Sequence, residues 1–493
     1  MAGQGAWARW LERAQAPVDG ASLAAFRFLF GMMGAFGSVR FLVNGWVEPF
    51  FFKPTFFFKY WGFGWLDVPP PWALYGAFGA LAVLGVGIAV GAYYRLCAVA
   101  FFVLFTYVEL LDVTNYLNHY YLVSVLGFVL CWLPLDRVWS VDARRNPSLR
   151  RATLPAWVLW VVRFQVGVVY VGAALAKATP DWLLHAQPMH AWLSARGDMP
   201  LLGPWFGEWW VALAMSWAGF LYDLTIVGWL SWERTRLWAY GVLLVFHAMT
   251  KALFMIGMFP FLMTGFALAF FGPSWPRRVL PGRWVRALDG ASEGVAGGPT
   301  GPREAALWAR PWVGRAVVGV LALHLSVQAL LPLRAYAYGG EVLWHEQGMR
   351  WSWRVMCREK NGSAMFRVKL PGQEREKLVP PRHYLTRAQE REMSSQPDLI
   401  LQMAQHIARD WERQGFQGVE VRVDALASLN GRPAARLIDP SVDLARVQDG
   451  VLPASWILPA PQGAPSRAPS RSRLAAALGL DAPATSQPSV YEP

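Results

Sequence analysis

The sequence predicts an integral membrane bundle of about nine α-helices, followed by a mixed, β-rich soluble domain on the outer side of the membrane. Hydrophobic residues make up 55% of the 493 residues and charged residues only 16%, and the mean hydropathy is +0.26. An ordinary soluble core does not need so large an apolar share. The apolar residues are collected in stretches of about 20, the length that an α-helix needs to cross a bilayer. A change of composition near residue 334 marks the start of the soluble part.

Nine apolar stretches are predicted to span the membrane. Their centres lie near Leu29, Ala82, Phe102, Leu126, Gly167, Trp217, Leu243, Thr264 and Leu321. Most arginines fall in every second loop, beginning with Arg9 and Arg13 before the first stretch and continuing with Arg144 and Arg145 after the fourth. The positive-inside rule therefore puts the N-terminus in the cytoplasm and everything after the ninth stretch outside. On this interpretation the net charge of +13 serves topology and contact with anionic lipid, and no nucleic acid partner is predicted.

The chain divides into four predicted parts: a cytoplasmic N-terminus (1–20), a transmembrane catalytic domain (21–333), an outer domain (334–460) and a disordered tail (461–493). Alternating apolar residues predict strands over 342–360, 363–370 and 419–429, the last followed by a turn at Asn430 and Gly431. Apolar residues spaced three and four apart predict a helix over 395–414. The tail is rich in Pro, Ser and Ala, and the Gly-rich stretch 290–302 is predicted to be a cytoplasmic loop.

Lys177 is the residue around which a functional site is predicted. In a helix, Arg163, Tyr170 and Lys177 recur every seventh residue and fall on one stripe, with Lys177 where the stripe meets the outer membrane surface. An ammonium group there has three donors, and desolvation favours its neutral amine form, which can act as a base. The structural alternative, which this helix alone favours, is a lysine that snorkels to the interface and ends the helix.

Other polar residues lie inside or at the ends of predicted spans, where an unpaired polar group is costly. Asp223 lies inside the sixth span, Asp112 at the outer end of the third, and His247 at the outer end of the seventh. Asn118 and His119 lie in the short outer connection before the fourth. A structural partner role is the alternative for each, but the predicted topology brings Asp112, Asn118, His119 and His247 to the same outer face as the lysine. No metal-binding spacing, P-loop or dinucleotide-binding glycine motif is present, and no metal site is predicted.

Aromatic clusters flank the predicted spans on the outer side, over residues 49–65 and 203–210. Most of these rings indicate a belt at the membrane interface. The same kind of lining would also suit a flat quinone ring at bilayer depth.

Many segments, in chain order over about residues 20–460, resemble the vitamin K-dependent γ-glutamyl carboxylase family. They include FRFLFG in the first span, LLDVTNYLNHYYL with Asn118 and His119, and VVYVGAALAKATPDW with Lys177. LYDL, FHAMTKALFMIGMFPF and SWPRR follow in order. VLWHEQGMRWSWRV, the SQPD helix and SLNGRPAARLIDPSVDL continue the resemblance into the outer domain. A single motif of this kind would be weak, whereas so many in one order are a specific signal.

The resemblance implies a membrane enzyme that uses vitamin K hydroquinone, or a menaquinol, with O2 and CO2 as co-substrates. Lys177 would deprotonate the hydroquinone, whose reaction with O2 gives a base strong enough to take the γ-proton of a peptide Glu. The carbanion would add CO2, and the quinone would leave as its 2,3-epoxide. The expected site residues are catalytic (Lys177, His119 and Asn118), cofactor-binding (His247, Asp223, Tyr170 and Asp112) and substrate-binding (His345, Glu346 and Arg350).

Three departures from the family pattern make the epoxidation chemistry better supported than the peptide substrate. Ala176 precedes Lys177 where the animal enzymes carry a lysine pair, Tyr116 replaces a Trp, and Thr250 stands where the family has Asn. One alternative is therefore a relative that oxidises a quinol or carboxylates a different acidic substrate. A second alternative is a non-catalytic membrane scaffold whose outer domain binds a partner.

The expected partners follow from the chemistry. They are the lipid bilayer, a Glu-containing peptide or protein, and a quinone reductase that recycles the cofactor. Composition favours a bacterial inner-membrane protein whose N-terminus is cytoplasmic and whose outer domain is periplasmic.

Overall fold

The computed structural model describes residues 2–289 and 311–466. Each of the nine predicted span centres lies in a helix. The helices before the outer domain are α1 (Ala2–Gln15), α2 (Ala21–Val43), α3 (Val47–Phe51), α4 (Pro71–Val90), α5 (Tyr94–Glu109), α6 (Asn118–Trp132), α7 (Val141–Arg145), α8 (Ala156–Lys177), α9 (Pro180–Leu183), α10 (Met189–Ser194), α11 (Trp209–Ser231), α12 (Arg236–Leu253), α13 (Phe259–Phe266), α14 (Trp275–Val279), α15 (Gly282–Asp289) and α16 (Pro311–Leu330). Short 3₁₀ helices occupy Val113–Asn115, Leu135–Arg137, Pro147–Leu149, Gly203–Trp205, Ala267–Phe270 and Leu331–Tyr338. The predicted loop 290–302 and most of the predicted tail lie outside the described residues.

Five helical stretches among the described residues are long and apolar enough to cross a bilayer: α2, α4, α8, α11 and Trp312–Tyr338, in which α16 continues into a 3₁₀ helix. They confirm a membrane-helical part. α5 and α6 have 16 and 15 residues. At 1.5 Å per residue they are roughly 24 and 22 Å long, shorter than the hydrocarbon core of about 30 Å. Length and composition therefore support five crossings in the described chain, and nine stays a prediction.

α8 lies at the centre of the bundle and α2 packs on α4 beside it. The most apolar part of α8 is 67% buried, against 28% in α11. A Cβ added at Gly31 of α2 would lie 2.4 Å from the carbonyl oxygen of Gly85 on α4, so the two backbones meet directly. Small residues allow such close approach in a membrane, where helices gain little by hiding apolar surface from lipid.

A chain of buried polar side chains joins α16 to α8 and α6. His324 Nε2 lies 2.8 Å from Gln165 Oε1, and Gln165 donates to Gln328 Oε1 at 3.4 Å. Gln328 in turn donates to the Tyr121 hydroxyl at 2.7 Å. Each group finds a partner away from water, as polar groups inside a bundle must. The chain holds the last helix before the outer domain against the helix that carries Lys177.

The opposite end of the bundle is closed by backbone pairing and one arginine. β1 (Pro17–Asp19) pairs antiparallel with β2 (Thr153–Pro155). The buried Arg27 donates to the carbonyl oxygens of Leu135, Val138 and Trp139 at 2.5–2.9 Å. These contacts tie α2 to the segment between α6 and α8.

The outer domain contains one antiparallel sheet with the strand order β4-β3-β5-β6. The strands are β3 (Lys360–Lys369), β4 (Lys377–Val379), β5 (Glu420–Leu429) and β6 (Ala435–Arg436), and the helices are α17 (Val342–His345), α18 (Arg387–Met393) and α19 (Pro397–Arg413), with short 3₁₀ helices at Pro381–His383 and Leu444–Arg446. α19 buries Leu399, Met403 and Ile407 on one face, which confirms the predicted helix. The strands predicted over 363–370 and 419–429 are confirmed by β3 and β5. In the described residues the domain is mixed α and β, with a small sheet, and the expected β-rich character is corrected accordingly.

The strand predicted over 342–360 is wrong except at its last residue. The chain forms α17 and then an irregular segment, because Glu346, Trp351, Trp353 and Met356 all have positive φ angles of 47–62° that no strand accommodates. The side chain of Trp353 is fully buried against α8, where a Cβ added at Gly172 would lie 2.5 Å from its Cβ. The alternation of Trp and polar residues therefore reflects burial against the membrane domain. We call residues 346–359 the linking segment.

Candidate functional site

Lys177 is the last residue of α8, and its side chain is buried where the bundle meets the outer domain. Only 6% of the residue is exposed. Nζ donates to Asp223 Oδ2 of α11 at 2.9 Å and to the carbonyl oxygen of Val355 in the linking segment at 3.1 Å. The ring of Trp182 in α9 lies 5.3 Å from Nζ. Two membrane helices and the outer domain thus converge on one amine.

The Lys177–Asp223 pair is a buried ion pair. The side chains are 8% and 7% exposed. Two buried charges are tolerated when each compensates the other, and removing one leaves the second uncompensated at a cost of about 3–5 kcal/mol. Transfer of the shared proton from Nζ to the carboxylate would turn the pair into two neutral groups. The arrangement can therefore present a neutral amine without exposing an unpaired charge.

An aromatic and imidazole cluster lies beside this pair, deeper in the bundle. The Tyr170 hydroxyl lies 3.3 Å from His247 Nε2. Tyr222, which precedes Asp223 on α11, stacks on Phe246 with ring centroids 3.8 Å apart. The structure thus brings Tyr170, His247 and Asp223 to the same side of the bundle as Lys177.

His119 faces a cavity that we call the apolar cavity. It has a volume of about 120 Å³ and lies among α2, α4, α5, α6 and the connection before α13. Its walls are largely aromatic and include Phe41, Phe51, Phe78, Phe105 and Tyr120. Polar side chains line it besides the His119 ring, among them Arg40, Ser38, Asn115 and the carboxyl group of Glu109. Glu109 Oε2 accepts a hydrogen bond from Ser124, whereas its Oε1 is buried without a partner in the described chain.

The shape and lining of the apolar cavity fit a flat, apolar ring that carries oxygen groups. A ring can stack on the Phe walls, and a hydroxyl can donate to the free Glu109 oxygen. Gly257 lies beside the His119 ring, and a Cβ added there would lie 3.6 Å from it. The side chains present therefore suit a quinone-type cofactor.

A second cavity, which we call the polar pocket, lies between residues 113–118 and the linking segment. Its volume is about 230 Å³, and its walls include Asn118, Glu346, Arg350, Arg354 and Arg358. The Asn118 side chain donates to the carbonyl oxygen of Arg354 at 3.4 Å. Lys177 contacts the next residue, Val355, so consecutive residues of the linking segment touch the lysine and Asn118.

Two family comparisons bear on this arrangement. Residues 15–275 match the HTTM domain, and residues 313–463 match the lumenal domain of vitamin K-dependent gamma-carboxylase. This chain belongs to the vitamin K-dependent gamma-carboxylase family. No solved structure matches it. Family membership supports a carboxylase kind of function with a vitamin K cofactor, a Glu-containing substrate and a place in a lipid bilayer.

Four of the site residues predicted from the sequence line one of the two cavities, whereas Lys177, Asp223, Tyr170 and His247 line neither. Asn118 and His119 are adjacent, but successive residues of a helix point about 100° apart. Asn118 lines the polar pocket and His119 the apolar cavity. Asp112 lines neither cavity. It accepts hydrogen bonds from the Thr114 amide and hydroxyl at 2.9 and 2.8 Å and from Gln389 at 3.0 Å.

The three expected substrate-binding residues differ in the hydrogen bonds and ion pairs that they already form within the protein. His345 has both ring nitrogens occupied, by the Gly339 carbonyl at 2.9 Å and the Gln347 amide at 3.0 Å. Glu346 lies in the polar pocket, where it pairs with Arg358 and, at 2.9 Å, with Lys360. Arg350 also lines the pocket and pairs with Asp398 at 2.5 Å.

Sequence reasoning missed Arg354 and Arg358 as lining residues, and it did not assign Glu109 a role in the site. Arg354 and Arg358 fall in the stretch predicted as a strand, and that prediction did not bring them to the site. Glu109 carried a usable signal, since a carboxylate at the end of a short apolar helix is costly without a ligand or partner. Among the described residues, no group of three His, Cys, Asp or Glu side chains could hold a metal ion.

Proposed function

We propose that this chain is an integral-membrane carboxylase that uses vitamin K hydroquinone, O2 and CO2 to convert peptide Glu to γ-carboxyglutamate, with release of vitamin K 2,3-epoxide. The observation that carries the proposal is the contact of Arg354 and Val355 with Asn118 and Lys177. Through it, the buried amine is connected to Asn118, which lines the polar pocket and whose neighbour His119 lines the apolar cavity. Quinol oxidation coupled to modification of an acidic side chain requires two ligands, an apolar quinol and a polar acidic substrate.

The cofactor supplies what no side chain can. When bound, reduced vitamin K provides, through its reaction with O2, a base strong enough to take a proton from the glutamyl CH2 group. The chain's own residues bind, orient and exclude water. The aromatic walls of the apolar cavity hold the ring, and His119 and Glu109 fix its oxygen groups.

Lys177 is proposed as the base that activates the cofactor, and Asp223 as its proton partner. An ammonium cannot accept a proton, so Lys177 must first pass one to Asp223. The low polarity around the pair favours that transfer, because the neutral pair needs no compensation for burying two ions. In this proposal Asp223 acts on Lys177, and Tyr170 and His247 complete the polar surface beside the pair.

The polar pocket is proposed as the site of the peptide Glu, with Asn118 at the boundary between the two cavities. Glu346 and Arg350 shape its wall through their ion pairs. The outer domain then lies on the non-cytoplasmic face, which in a bacterium is the periplasmic side of the inner membrane. A quinone reductase would be needed to regenerate the cofactor.

The test is reconstitution of the purified protein with reduced vitamin K, O2, labelled bicarbonate and a Glu-rich peptide. We expect epoxide and fixed label to appear together and both to vanish in Lys177→Ala, while folding and quinone binding persist. A conservative control is Lys251→Ala, which removes an exposed lysine near the end of α12.

The outcomes separate the alternatives. Epoxide without fixed label would support quinol oxidation and contradict the peptide substrate. Retained epoxide formation in Lys177→Ala would exclude this lysine as the base. Neither product in a folded sample would favour the scaffold alternative.

A further inference from the structure

The polar pocket contains more cationic than anionic side chains, and one cation has no anionic partner. Arg350 pairs with Asp398, and Arg358 pairs with Glu346. Glu392, the other carboxylate on the wall, accepts a hydrogen bond from Gln396 at 2.8 Å. Within residues 2–289 and 311–466, no carboxylate forms an ion pair with Arg354.

The Arg354 side chain is buried and incompletely satisfied. The residue is 7% exposed, and its Nε has no hydrogen-bond partner in the described part of the chain. Its guanidinium lies over the ring of Tyr336, 5.5 Å from the centroid. A cation–π contact offsets part of the cost of burying the charge, but it leaves the donors of the guanidinium fork unused.

The backbone of Arg354 is held at the centre of the site. Its carbonyl oxygen accepts the Asn118 hydrogen bond at 3.4 Å, and the following carbonyl accepts the Lys177 hydrogen bond at 3.1 Å. The neighbouring Trp353 is fully buried against α8. The backbone of Arg354 is therefore fixed between the two proposed catalytic residues, and the residue lines the polar pocket.

A buried guanidinium with free donors is a site for a carboxylate. Its planar fork matches the two oxygens of a carboxylate and holds them by paired, charge-assisted hydrogen bonds. The carboxylate would also supply the missing counter-charge. Arg350 and Arg358 already have carboxylates, so neither leaves a vacant fork.

We propose that Arg354 binds the side-chain carboxylate of an acidic substrate in the polar pocket, and this assignment rests on the proposed function. In the proposed reaction, Arg354 would also stabilise charge that develops on the substrate, in addition to binding it. Removal of a proton from the carbon next to a carboxylate places a second negative charge beside the first. A guanidinium on that carboxylate stabilises the developing dianion and orients the CH2 group.

The experiment compares binding of a fluorescent Glu-containing peptide and its Gln-containing counterpart, by anisotropy and without cofactor. The wild-type protein should prefer the Glu peptide. Arg354→Gln should weaken Glu-peptide binding roughly 10- to 100-fold, as expected for a charge-assisted hydrogen bond, and leave Gln-peptide binding unchanged. Arg409→Gln removes an exposed arginine of α19 and should leave the preference intact.

Arg354→Lys provides the second variant, should Arg354→Gln fold poorly. It keeps the charge but not the fork, and we expect an intermediate loss of Glu preference. Full Glu preference in either folded variant, or no preference in the wild type, would overturn the assignment. The binding assay requires no turnover, so a protein that binds Glu peptides through Arg354 yet fixes no label would refute the proposed function alone.

Discussion

The apolar cavity and the polar pocket lie on opposite sides of one pair of residues and differ in almost every property. The apolar cavity has aromatic walls and one carboxylate oxygen without a partner. The polar pocket is lined by three arginines and two glutamates, most of them already paired. Asn118 lines the polar pocket, and the next residue, His119, lines the apolar cavity. The difference supports the proposal that the two cavities hold two ligands of opposite polarity.

The two cavities also belong to different parts of the fold. The apolar cavity is built from residues that precede the outer domain, whereas the polar pocket needs the linking segment of the outer domain. A single-domain chain could hold the first ligand but not the second. The outer domain therefore does more than cover the membrane part, since it supplies one wall of the pocket and a backbone carbonyl to Lys177.

The largest effect is expected from Asp223→Asn, which removes the carboxylate that pairs with Lys177. Asn cannot take the proton from Lys177, so epoxide formation should fall about 1,000-fold, within the range of general acid–base catalysis. Thr225→Ala, on an exposed position of the same helix, is the matched control. Epoxide formation is the measurement.

The free energy of unfolding provides an independent test of the Lys177–Asp223 ion pair. Asp223→Asn leaves a buried ammonium uncompensated, whereas Lys177→Met combined with Asp223→Leu removes both charges. We expect the double variant to be more stable than Asp223→Asn by about 3 kcal/mol and still inactive. Near-normal epoxide formation in folded Asp223→Asn would contradict the role of Asp223.

His119→Ala and Asn118→Ala should separate the two ligands. His119→Ala should lower the rate of epoxide formation about 100-fold, as loss of one oriented hydrogen-bonding group does, and weaken quinone binding measured by tryptophan quenching. Peptide binding should be unchanged. Asn118→Ala should weaken peptide binding and leave quinone affinity nearly intact. Equal effects of both variants on both ligands would show that the two cavities act as one.

Arg432→Gln should affect both cavities to a similar, smaller extent. Arg432 donates to both carboxylate oxygens of Asp181 at 2.6 and 2.7 Å and so joins the β5–β6 turn to α9, the short helix that follows Lys177. Its loss should lower the free energy of unfolding by about 2 kcal/mol, as for hydrogen bonds to a charged group. Quinone and peptide affinities should fall in parallel. A selective loss of one affinity would argue against a shared attachment, and Arg436→Gln on β6 is the control.

Local patterns predicted the helices well and the linking segment poorly, for a physical reason. The turn at Asn430 and Gly431 is encoded by residues that tolerate positive φ, and both have it, at 50° and 79°. Four non-glycine residues of the linking segment also have positive φ, but they are Glu, Trp, Trp and Met, which local preference does not place there. Their conformation is imposed by burial against α8. Arg354 was missed because it lies in that segment.

The sequence also could not predict which helices pack against each other. That Lys177, Asp223, Tyr170 and His247 lie on the same side of the bundle follows from where each lies in its apolar stretch. That Asp223 is the partner of Lys177 depends on α8 packing against α11, and no periodicity within one helix encodes its neighbour.

The smallest effect is a dependence of stability on pH that arises in the wall of the polar pocket. Burial lowers the pKa of Lys360 to about 8 from 10.5, although Glu346 beside it acts to raise it. Below pH 8 both folded and unfolded chains carry the proton, and the buried charge lowers stability. Between pH 8 and 10.5 the folded chain has lost the proton while the unfolded chain keeps it, so the free energy of unfolding rises with pH.

We therefore expect the wild-type protein to gain about 1 kcal/mol relative to Lys360→Met between pH 7 and 9. Denaturant unfolding of the two proteins at each pH measures the difference, and Lys369→Met is the control for loss of a lysine on the same strand. A gain that persists in Lys360→Met would assign the effect to other groups.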